Sequence, residues 1–299
     1  MRAIVVDPSV GGGLRIDEVP EPQVGPGQVL IENRHLAINF GDLNGSRSRP
    51  DGFIPGWDSS GVVVQTAAGG PADGMRVVAT MGSQGGWAER RAVNTDELAV
   101  VPDDIDLAEA STLPVAGVTA LRALQRAGSL LGSRVLITSA AGGVGRFGVQ
   151  LAAIGGAHVI ASVGSAARGE GLDALGASEV VVGLEGLDEP VDFVLDNVGG
   201  SQLAAIWASH LADGGVVQCI GRTSQEDAVF SSLVGFRRQL EAFTKGPQSG
   251  TDIRYLLDLM QQGRLRVDIG WSGSWSRIAE ASAALFGRQV AGKAVLDVD

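Results

Sequence analysis

The strongest constraint on the fold is one segment in which an apolar stretch leads through a glycine-containing turn into a helical pattern. Arg134–Thr138 is apolar and predicts a strand, and Arg146–Ile154 has the spacing of a helix. Between them stands Ala140-x-Gly142-x-x-Gly145, which departs from the fingerprint Gly-x-Gly-x-x-Gly only at its first position. A second apolar strand, His158–Val163, follows. This order of elements predicts a βαβ unit that binds a dinucleotide.

The residues of this turn have separable roles in such a unit. The middle glycine allows the backbone to approach a pyrophosphate, and the last one allows the helix to pack closely on the strand. The free N–H groups at the start of the helix attract the pyrophosphate. The predicted cofactor-binding residues of the turn are Ala141, Gly142, Gly143, Val144 and Gly145. The alternative is an ordinary helix-entry turn, since 44 of the 299 residues are glycine.

The end of the second strand indicates which dinucleotide is bound. An NAD-binding unit carries Asp or Glu about 20 residues after the first glycine of the fingerprint, where the acid binds the ribose hydroxyls. In this chain the first acid after the strand is Glu170. Ser162, Ser165 and Arg168 stand there instead and can bind a 2′-phosphate. We therefore predict NADP(H) as the cofactor, against the alternative that Arg168 is a solvated helix residue.

The elements around this unit predict the fold class. Short apolar runs separated by Gly/Pro turns indicate a β-rich first third. These runs are Ala3–Val6, Gln28–Glu32, Gly61–Gln65, Met75–Ala79 and Leu98–Val101. Beyond a helix capped by Asp106, strands and helices alternate, which is typical of a parallel sheet. The later elements are a helix at Gly169–Leu175, strands at Glu179–Val182 and Val191–Asp196, a helix at Gln202–Leu211 and a strand at Val216–Ile220. The tail predicts helices at Asp252–Gln262 and Arg277–Leu285 and a closing strand at Lys293–Val298.

The residues that follow the later strands are further candidates for the cofactor site. Ligands of doubly wound sheets lie beyond the carboxyl ends of the strands. Asn197 and Val198 follow the fourth strand, and Gly221 follows the fifth. Ordinary turn chemistry explains any one of them equally well. Cys219 lies inside the fifth strand, which favours a core thiol over a nucleophile.

Composition excludes several classes of function. The net charge of −11 opposes binding to nucleic acid. A single cysteine cannot form an internal disulfide or a four-thiolate zinc site. The N-terminus does not resemble a signal peptide, and no apolar run approaches the ~20 residues needed to cross a membrane. We therefore expect a cytoplasmic protein that acts on a small molecule.

Several segments, in order and over nearly the whole chain, resemble the medium-chain dehydrogenase/reductases. Asn39-Phe-Gly-Asp42, followed by Pro55-Gly-Trp-Asp58-x-x-Gly61-x-Val63, looks like the N-terminal signature of that family. Leu113-Pro-x-Ala-Gly117-x-Thr119-Ala120 is similar to the segment that leads into its cofactor domain. The turn AAGGVG at 140–145 is similar to the version in the zinc-free, quinone-oxidoreductase-like branch, and Gly292-Lys293-Ala-Val-Leu296 fits the closing segment.

This resemblance implies an α/β fold in which a Rossmann doubly wound parallel sheet domain is inserted into a GroES-like β-rich domain. It places the GroES-like catalytic domain at 1–115 plus 246–299 and the Rossmann dinucleotide-binding domain at 116–245. It also implies an active site in the cleft and a homodimer. Thr119 joins the predicted cofactor-binding residues, and Asn39 and Asp42 become the predicted catalytic residues, with Arg47 as a further cleft candidate.

The same resemblance predicts chemistry without a metal. Zinc-dependent relatives use cysteine and histidine where this chain has Asn39 and Trp57-Asp58. The three histidines are scattered, so a tetrahedral nitrogen/sulfur zinc site cannot be assembled. We predict hydride transfer from NADPH to a quinone. The alternatives are an NADPH-dependent reductase of activated alkenes (an enone or enoyl thioester) and a low-turnover NADPH-binding regulatory or structural protein.

Overall fold

The computed structural model describes residues 1–80, 85–231 and 237–299 and divides into two compact units. One unit consists of Met1–Val118 and Gly246–Asp299, and the other of Thr119–Lys245. The second unit therefore interrupts the chain of the first. No helix in the described residues is long and apolar enough to cross a membrane.

The first part of the chain is dominated by strands. Its elements are β1 (Arg2–Val6), β2 (Leu14–Glu18), β3 (Gln28–Ile38), α1 (Phe40–Ser46), β4 (Asp58–Gln65), β5 (Arg76–Thr80), β6 (Arg90–Asn94), a 3-10 turn (Thr95–Glu97), β7 (Leu98–Val100), α2 (Leu107–Ser111) and a π-helical turn (Leu113–Gly117). The predicted cap of α2 is confirmed, because the Asp106 carboxylate accepts hydrogen bonds from the backbone N–H groups of Ala108 and Glu109.

Strands and helices alternate in the middle of the chain. The elements are α3 (Val118–Gln125), β8 (Arg134–Ile137), α4 (Gly143–Ile154), β9 (His158–Val163), a 3-10 turn (Ala166–Gly169), β10 (Glu179–Val182), β11 (Val191–Asp196), α5 (Gly200–Ala205), a π-helical turn (Ile206–His210), β12 (Leu211–Cys219) and β13 (Gln239–Ala242). The last part adds α6 (Gly250–Gln261), β14 (Ile269–Ser274), a 3-10 turn (Trp275–Arg277), α7 (Ile278–Phe286) and β15 (Lys293–Asp297).

The larger sheet of the first unit brings the two ends of the chain together. Among the described residues its strand order is β14-β15-β3-β4-β5-β7, with β6 also paired to β3, while β1 and β2 form a separate hairpin. β15 runs antiparallel to β3, with Ala294 opposite Ile38. This register places Lys293, which precedes Ala294, beside Asn39, which follows Ile38. Apolar side chains of β1, β3 and β15, including Ile4, Leu36 and Leu296, pack into one buried core.

The described sheet of the second unit is parallel throughout, in the order β10-β9-β8-β11-β12-β13. Renumbered from its first strand, this is the doubly wound order 3-2-1-4-5-6. The order reverses between β8 and β11, so the carboxyl ends of these two strands open a crevice for a ligand. Leu136, Ile160, Val194 and Val217 of four neighbouring strands form the buried core. The predicted Rossmann sheet is confirmed.

One predicted element, the helix at Gly169–Leu175, is wrong. The chain forms the 3-10 turn Ala166–Gly169 and then further turns up to Gly176. Gly171 and Gly176 have φ angles of +75° and +105°, which a right-handed helix does not allow. Leu172 is nevertheless fully buried. The apolar pattern of the segment therefore reflects the burial of this side chain and not a helix.

Candidate active site

The turn between β8 and α4 has a geometry suited to phosphate binding. Helix α4 begins after Gly142, which is extended at φ −81° and ψ 176° and has no side chain to cap the helix. Ser139 adopts the left-handed conformation (φ 50°), and its carbonyl accepts a hydrogen bond from the N–H of Gly142 at 2.9 Å. The N–H of Ala140 is held by the carbonyl of Ser162 at 2.9 Å. The turn is thereby fixed at the carboxyl end of the sheet, where the free N–H groups of the first turn of α4 can meet an anion.

Gly145 packs tightly against the start of this turn. A Cβ atom at this position would lie 2.4 Å from the carbonyl oxygen of Ser139 and 2.7 Å from the Cα atom of Ala140. Both are backbone atoms, so they cannot rotate away. At Gly142 the nearest atom would be the same carbonyl, at 3.3 Å. The last glycine therefore serves the packing of helix on strand, as predicted for it, and Gly142 keeps the approach to the turn open.

The candidates for the 2′-phosphate lie in different surroundings. Ser162 is buried at 1% exposure, donates its hydroxyl hydrogen to the carbonyl of Gly183 at 2.6 Å and accepts from Gln202 at 3.1 Å. Ser165 is exposed, and Arg168 is partly exposed in the 3-10 turn after β9. The hydroxyl of Ser165 and the guanidinium of Arg168 are thus accessible to a ligand, whereas the hydroxyl of Ser162 joins β9 to neighbouring segments.

A buried polar network joins the carboxyl ends of β8 and β11. Thr138 donates to the Asp196 carboxylate at 2.8 Å, and the Asp196 carboxylate also accepts from the N–H of Gly199 at 2.9 Å. Asn197 donates its side-chain amide to the carbonyl of Thr138 at 2.8 Å. Burial raises the pKa of Asp196, although these hydrogen bonds oppose the shift. The network joins the carboxyl ends of the two strands at the crevice and holds the Asn197 side chain against Thr138.

The other predicted cofactor-binding residues lie around this crevice or on α3. Val198 is partly exposed, and its carbonyl accepts a hydrogen bond from the N–H of Ser224 at 3.0 Å. A Cβ atom at Gly221 would lie 2.7 Å from the carbonyl oxygen of Asn197, so the two loops touch through their backbones. Thr119 is buried at the start of α3. Burial raises the pKa of Cys219 to about 11, which suits a core thiol.

The first unit contains a second polar site, which we name the Asn39 cluster: Asn39, Asp42, Asp58 and Lys293. The backbone N–H of Asn39 donates to Asp42 Oδ2 at 2.8 Å, and its side-chain Nδ2 donates to Asp42 Oδ2 and Asp58 Oδ2, both at 3.0 Å. Lys293 Nζ donates to Asn39 Oδ1 at 2.5 Å and to the carbonyl of Ile38 at 3.2 Å. The two carboxylates and the ammonium are 0–4% exposed, while Asn39 is partly exposed.

Chemistry fixes the orientation of the Asn39 carboxamide. An ionised carboxylate only accepts hydrogen bonds and an ammonium only donates them. Nδ2 must therefore face Asp42 and Asp58, and Oδ1 must face Lys293. Both amide hydrogens are used in this arrangement, so a ligand can reach the side chain of Asn39 only by donating to Oδ1, which already accepts from Lys293.

Burial controls the charges of the Asn39 cluster. Burial, followed by the negative charge of Asp58, raises the pKa of Asp42 from 3.8 to about 7. Burial lowers the pKa of Lys293, and the charges of Asp58 and Asp42 oppose that shift. Arg91 is also buried, donates to the carbonyl of Trp57 at 3.0 Å and has its pKa lowered by burial to about 10. The cluster therefore balances two carboxyl groups with nearby cations, and the raised pKa of Asp42 brings its titration close to neutral pH.

The raised pKa of Asp42 predicts how stability depends on pH. Because its pKa is higher in the folded state, wild type loses stability relative to Asp42→Asn as pH rises from about 4 to about 7. The slope is at most about 1.4 kcal/mol per pH unit, the value for one proton. Urea unfolding of both proteins at several pH values between 4.5 and 7.5 measures it. A difference that stays constant over this range would contradict the raised pKa.

The residues of this site do not fit a catalytic zinc ion. Such a site takes nitrogen and sulfur ligands from histidine and cysteine. Here the polar groups are the Asn39 amide and the carboxyl groups of Asp42 and Asp58, and Lys293 already donates to Asn39 Oδ1. The described residues contain no group of three or more His, Cys, Asp or Glu that could hold a metal ion. No catalytic step is therefore assigned to zinc.

The structure also shows what the sequence could not assign. Arg47 is exposed, and its guanidinium carbon lies 4.0 Å from the ring centre of Phe286. Arg47 therefore packs against a side chain of α7 and is not part of the Asn39 cluster. Lys293 was not among the predicted site residues, because the residues that it contacts are far away in sequence. A charged residue at the start of an otherwise apolar strand was the available signal.

Two family models and several known proteins resemble this chain. The family model described as "Alcohol dehydrogenase GroES-like domain" matches residues 25–103, which identifies the β-rich unit as GroES-like, and the one described as "Zinc-binding dehydrogenase" matches residues 173–296. The chloroplastic quinone-oxidoreductase QR1 of Triphysaria versicolor is 32% identical over 99% of this chain and 98% of its own length.

Two further proteins resemble this chain over most of its length. The 2-methylene-furan-3-one reductase of Solanum lycopersicum is 28% identical over 93% of this chain and 74% of its own length. The solved structure of a mycobacterial protein complexed with NADPH superposes with a TM-score of 0.87 at 25% identity, covering 99% of this chain and all of that one. With the parallel sheet, the glycine turn and the GroES-like unit, these matches show that the chain belongs to the quinone-oxidoreductase-like branch of the medium-chain dehydrogenase/reductase family.

Proposed function

We propose that this protein is an NADPH-dependent oxidoreductase that transfers hydride to a quinone without zinc. The observation that carries the proposal is the Gly142–Gly145 turn at the carboxyl end of β8, beside the point where the strand order of the sheet reverses. The names of two relatives support it: one is a quinone oxidoreductase, and one was solved with NADPH. NADPH supplies the hydride when it is bound, and the chain provides binding, orientation and hydrogen bonds.

Binding of the cofactor rests on the second unit. The Gly142–Gly145 turn and the first turn of α4 receive the pyrophosphate, and Ser165 and Arg168 bind the 2′-phosphate. The strand β9 ends at Val163 and is followed by Gly164, so no carboxylate stands where an NAD enzyme binds its ribose. The Thr138–Asp196–Asn197 network keeps the crevice in shape.

The proposed catalytic residues are Asn39 and Asp42. Because Asn39 can only accept a hydrogen bond, it suits a group that carries an N–H or O–H, such as the hydroxyl of a reduced quinone. It cannot donate to an oxyanion. The proton that Asp42 takes up near neutral pH makes it a reservoir for the second half of the reduction, and the buried charge of Lys293 holds Asn39 in its accepting orientation.

A second candidate acceptor is an activated alkene, such as an enone or enoyl thioester. The similarity to a 2-methylene-furan-3-one reductase favours it. Hydride then goes to the β-carbon, and a proton completes the reduction. A third reading, a low-turnover NADPH-binding regulatory or structural protein, differs from both by the absence of steady NADPH consumption. The homodimer and the cytoplasmic location stay predictions from the sequence.

Steady-state assays of NADPH consumption separate these readings. We expect the purified protein to oxidise NADPH with simple quinones, and to use NADH at least tenfold less efficiently because the 2′-phosphate contacts are lost. Matched α,β-unsaturated ketones serve as the second set of acceptors. Higher kcat/KM with the ketones would replace the quinone proposal by the alkene proposal. Tight NADPH binding without turnover on either set would favour the regulatory reading.

A further inference from the structure

Recognition of the 2′-phosphate, which rests on the proposed function, needs more positive charge than the residues assigned so far provide. A phosphate monoester carries about −1.5 to −2 charges at pH 7 and has three acceptor oxygens. The hydroxyl hydrogen of Ser162 is already donated to Gly183 in a buried position. Ser165 and Arg168 then supply one hydroxyl and one guanidinium. A second cation at the same place would match the charge of the ligand.

Arg146 is such a cation. It lies in the first turn of α4, where its N–H bonds to the carbonyl of Gly142 at 2.9 Å, and it is partly exposed. A Cβ atom added at Gly171 would lie 3.8 Å from Arg146 Nη2. Among the described residues other than Gly171 and its chain neighbours, no other atom lies within 4 Å of that Cβ position. The guanidinium therefore reaches from α4 to the segment that follows Arg168 by three residues.

The sheet places both arginines beyond the carboxyl ends of its strands. β8 and β9 are adjacent parallel strands, with Ile137 paired to Ala161. Arg146 belongs to the helix that follows β8, and Arg168 belongs to the turn that follows β9, so both lie beyond the carboxyl ends of neighbouring strands. In a doubly wound sheet the adenosine end of a dinucleotide lies beyond the carboxyl ends of these two strands.

The position of Arg146 on its helix points to an anion as well. The first turn of a helix carries partial positive charge, so a cation there is unfavourable by about 0.3–1 kcal/mol when exposed. The first turn of α4 contains no acidic residue to offset it. A phosphate bound at this place would interact favourably with the guanidinium and with the start of the helix.

We propose that Arg146 and Arg168 clamp the 2′-phosphate of NADP(H) between α4 and the turn after β9, so that Arg146 is a second determinant of cofactor specificity. The clamp predicts that each arginine contributes to the preference for a 2′-phosphorylated nucleotide. Neither should matter for a nucleotide that lacks this group.

Calorimetric titration tests the clamp without any need for turnover. The two probes are adenosine 2′,5′-bisphosphate and AMP, which lacks the 2′-phosphate. We expect Arg146→Gln to weaken binding of the bisphosphate about 10- to 100-fold, as expected for the loss of a charge-assisted hydrogen bond, and to leave AMP binding within about twofold. Arg168→Gln should behave alike, and Arg146→Lys should retain part of the affinity.

Arg134→Gln is the matched control. Arg134 belongs to the same unit but begins β8, at the opposite edge of the sheet, where it pairs with Glu179 and Glu189. Its replacement should leave the ratio of the two affinities unchanged. If Arg146→Gln also leaves this ratio within twofold of wild type, the clamp is overturned while the NADPH proposal stands. If wild type itself binds both probes equally, the NADPH proposal fails first.

Discussion

Replacing Lys293 with methionine is expected to lower the free energy of unfolding by about 3–5 kcal/mol, the usual cost of leaving a buried charge without its partner. The ammonium is buried, bonds to Asn39 and to the carbonyl of Ile38, and lies in the field of Asp42 and Asp58. Methionine fills a similar volume but removes the positive charge and both hydrogen bonds. Two buried carboxyl groups then remain with less compensation.

Urea unfolding at pH 8 measures this effect, since Asp42 is mostly ionised above its pKa of about 7. Lys245→Met is the matched control, because the side chain of the other lysine is partly exposed and its loss should change stability by no more than about 0.5 kcal/mol. A Lys293→Met protein within about 1 kcal/mol of wild type would contradict the electrostatic role of the cluster.

A double variant separates charge from packing. Asp42→Asn removes one negative charge from the cluster, so Asp42→Asn combined with Lys293→Met should be more stable than the sum of the two single effects predicts. Residues of one charged network commonly couple by 0.5–3 kcal/mol. Strict additivity would indicate that Lys293 acts only through the packing of its side chain.

The contrast between the glycine turn and the Asn39 cluster shows what sequence reasoning can reach. The turn is local: strand, Gly142, Gly145 and helix follow one another within about twenty residues, so their spacing alone predicts the unit. The bond between Lys293 and Asn39 spans 254 residues and depends on the pairing of β15 with β3. No local pattern carries that register, so the sequence alone could not pair Lys293 with Asn39.

Local patterns also fail where burial and backbone geometry diverge. Leu172 is fully buried and completes an apolar pattern that indicates a helix, yet the positive φ of Gly171 requires a turn. Ser162 was correctly placed at the end of the second strand. Only the structure shows that its hydroxyl is buried and already bonded to Gly183 and Gln202. The decisive fact is a backbone angle in the first case and a tertiary contact in the second.

Replacing Gly145 with alanine is expected to abolish tight NADPH binding, with a loss of at least about 100-fold, and to destabilise the protein by about 1–3 kcal/mol, the usual cost of overpacking. The added Cβ would lie 2.4 Å from the carbonyl oxygen of Ser139. To relieve this contact, α4 must move away from the end of β8. The N–H groups at the start of α4 then leave the position in which they meet the pyrophosphate.

Two other glycines, one inside α4 and one just before it, provide comparisons for Gly145. At Gly148 a Cβ would make ordinary contacts of 3.4–3.7 Å with Ile137 and Leu195, so Gly148→Ala should change neither stability nor affinity greatly. At Gly142 the nearest contact would be 3.3 Å and φ is −81°, so Gly142→Ala should fold normally and still weaken NADPH binding by obstructing the pyrophosphate. Thermal unfolding without cofactor and fluorescence titration with NADPH distinguish the three variants. If Gly145→Ala has the thermal stability and the NADPH affinity of wild type, the proposal that the glycine turn binds the cofactor is wrong.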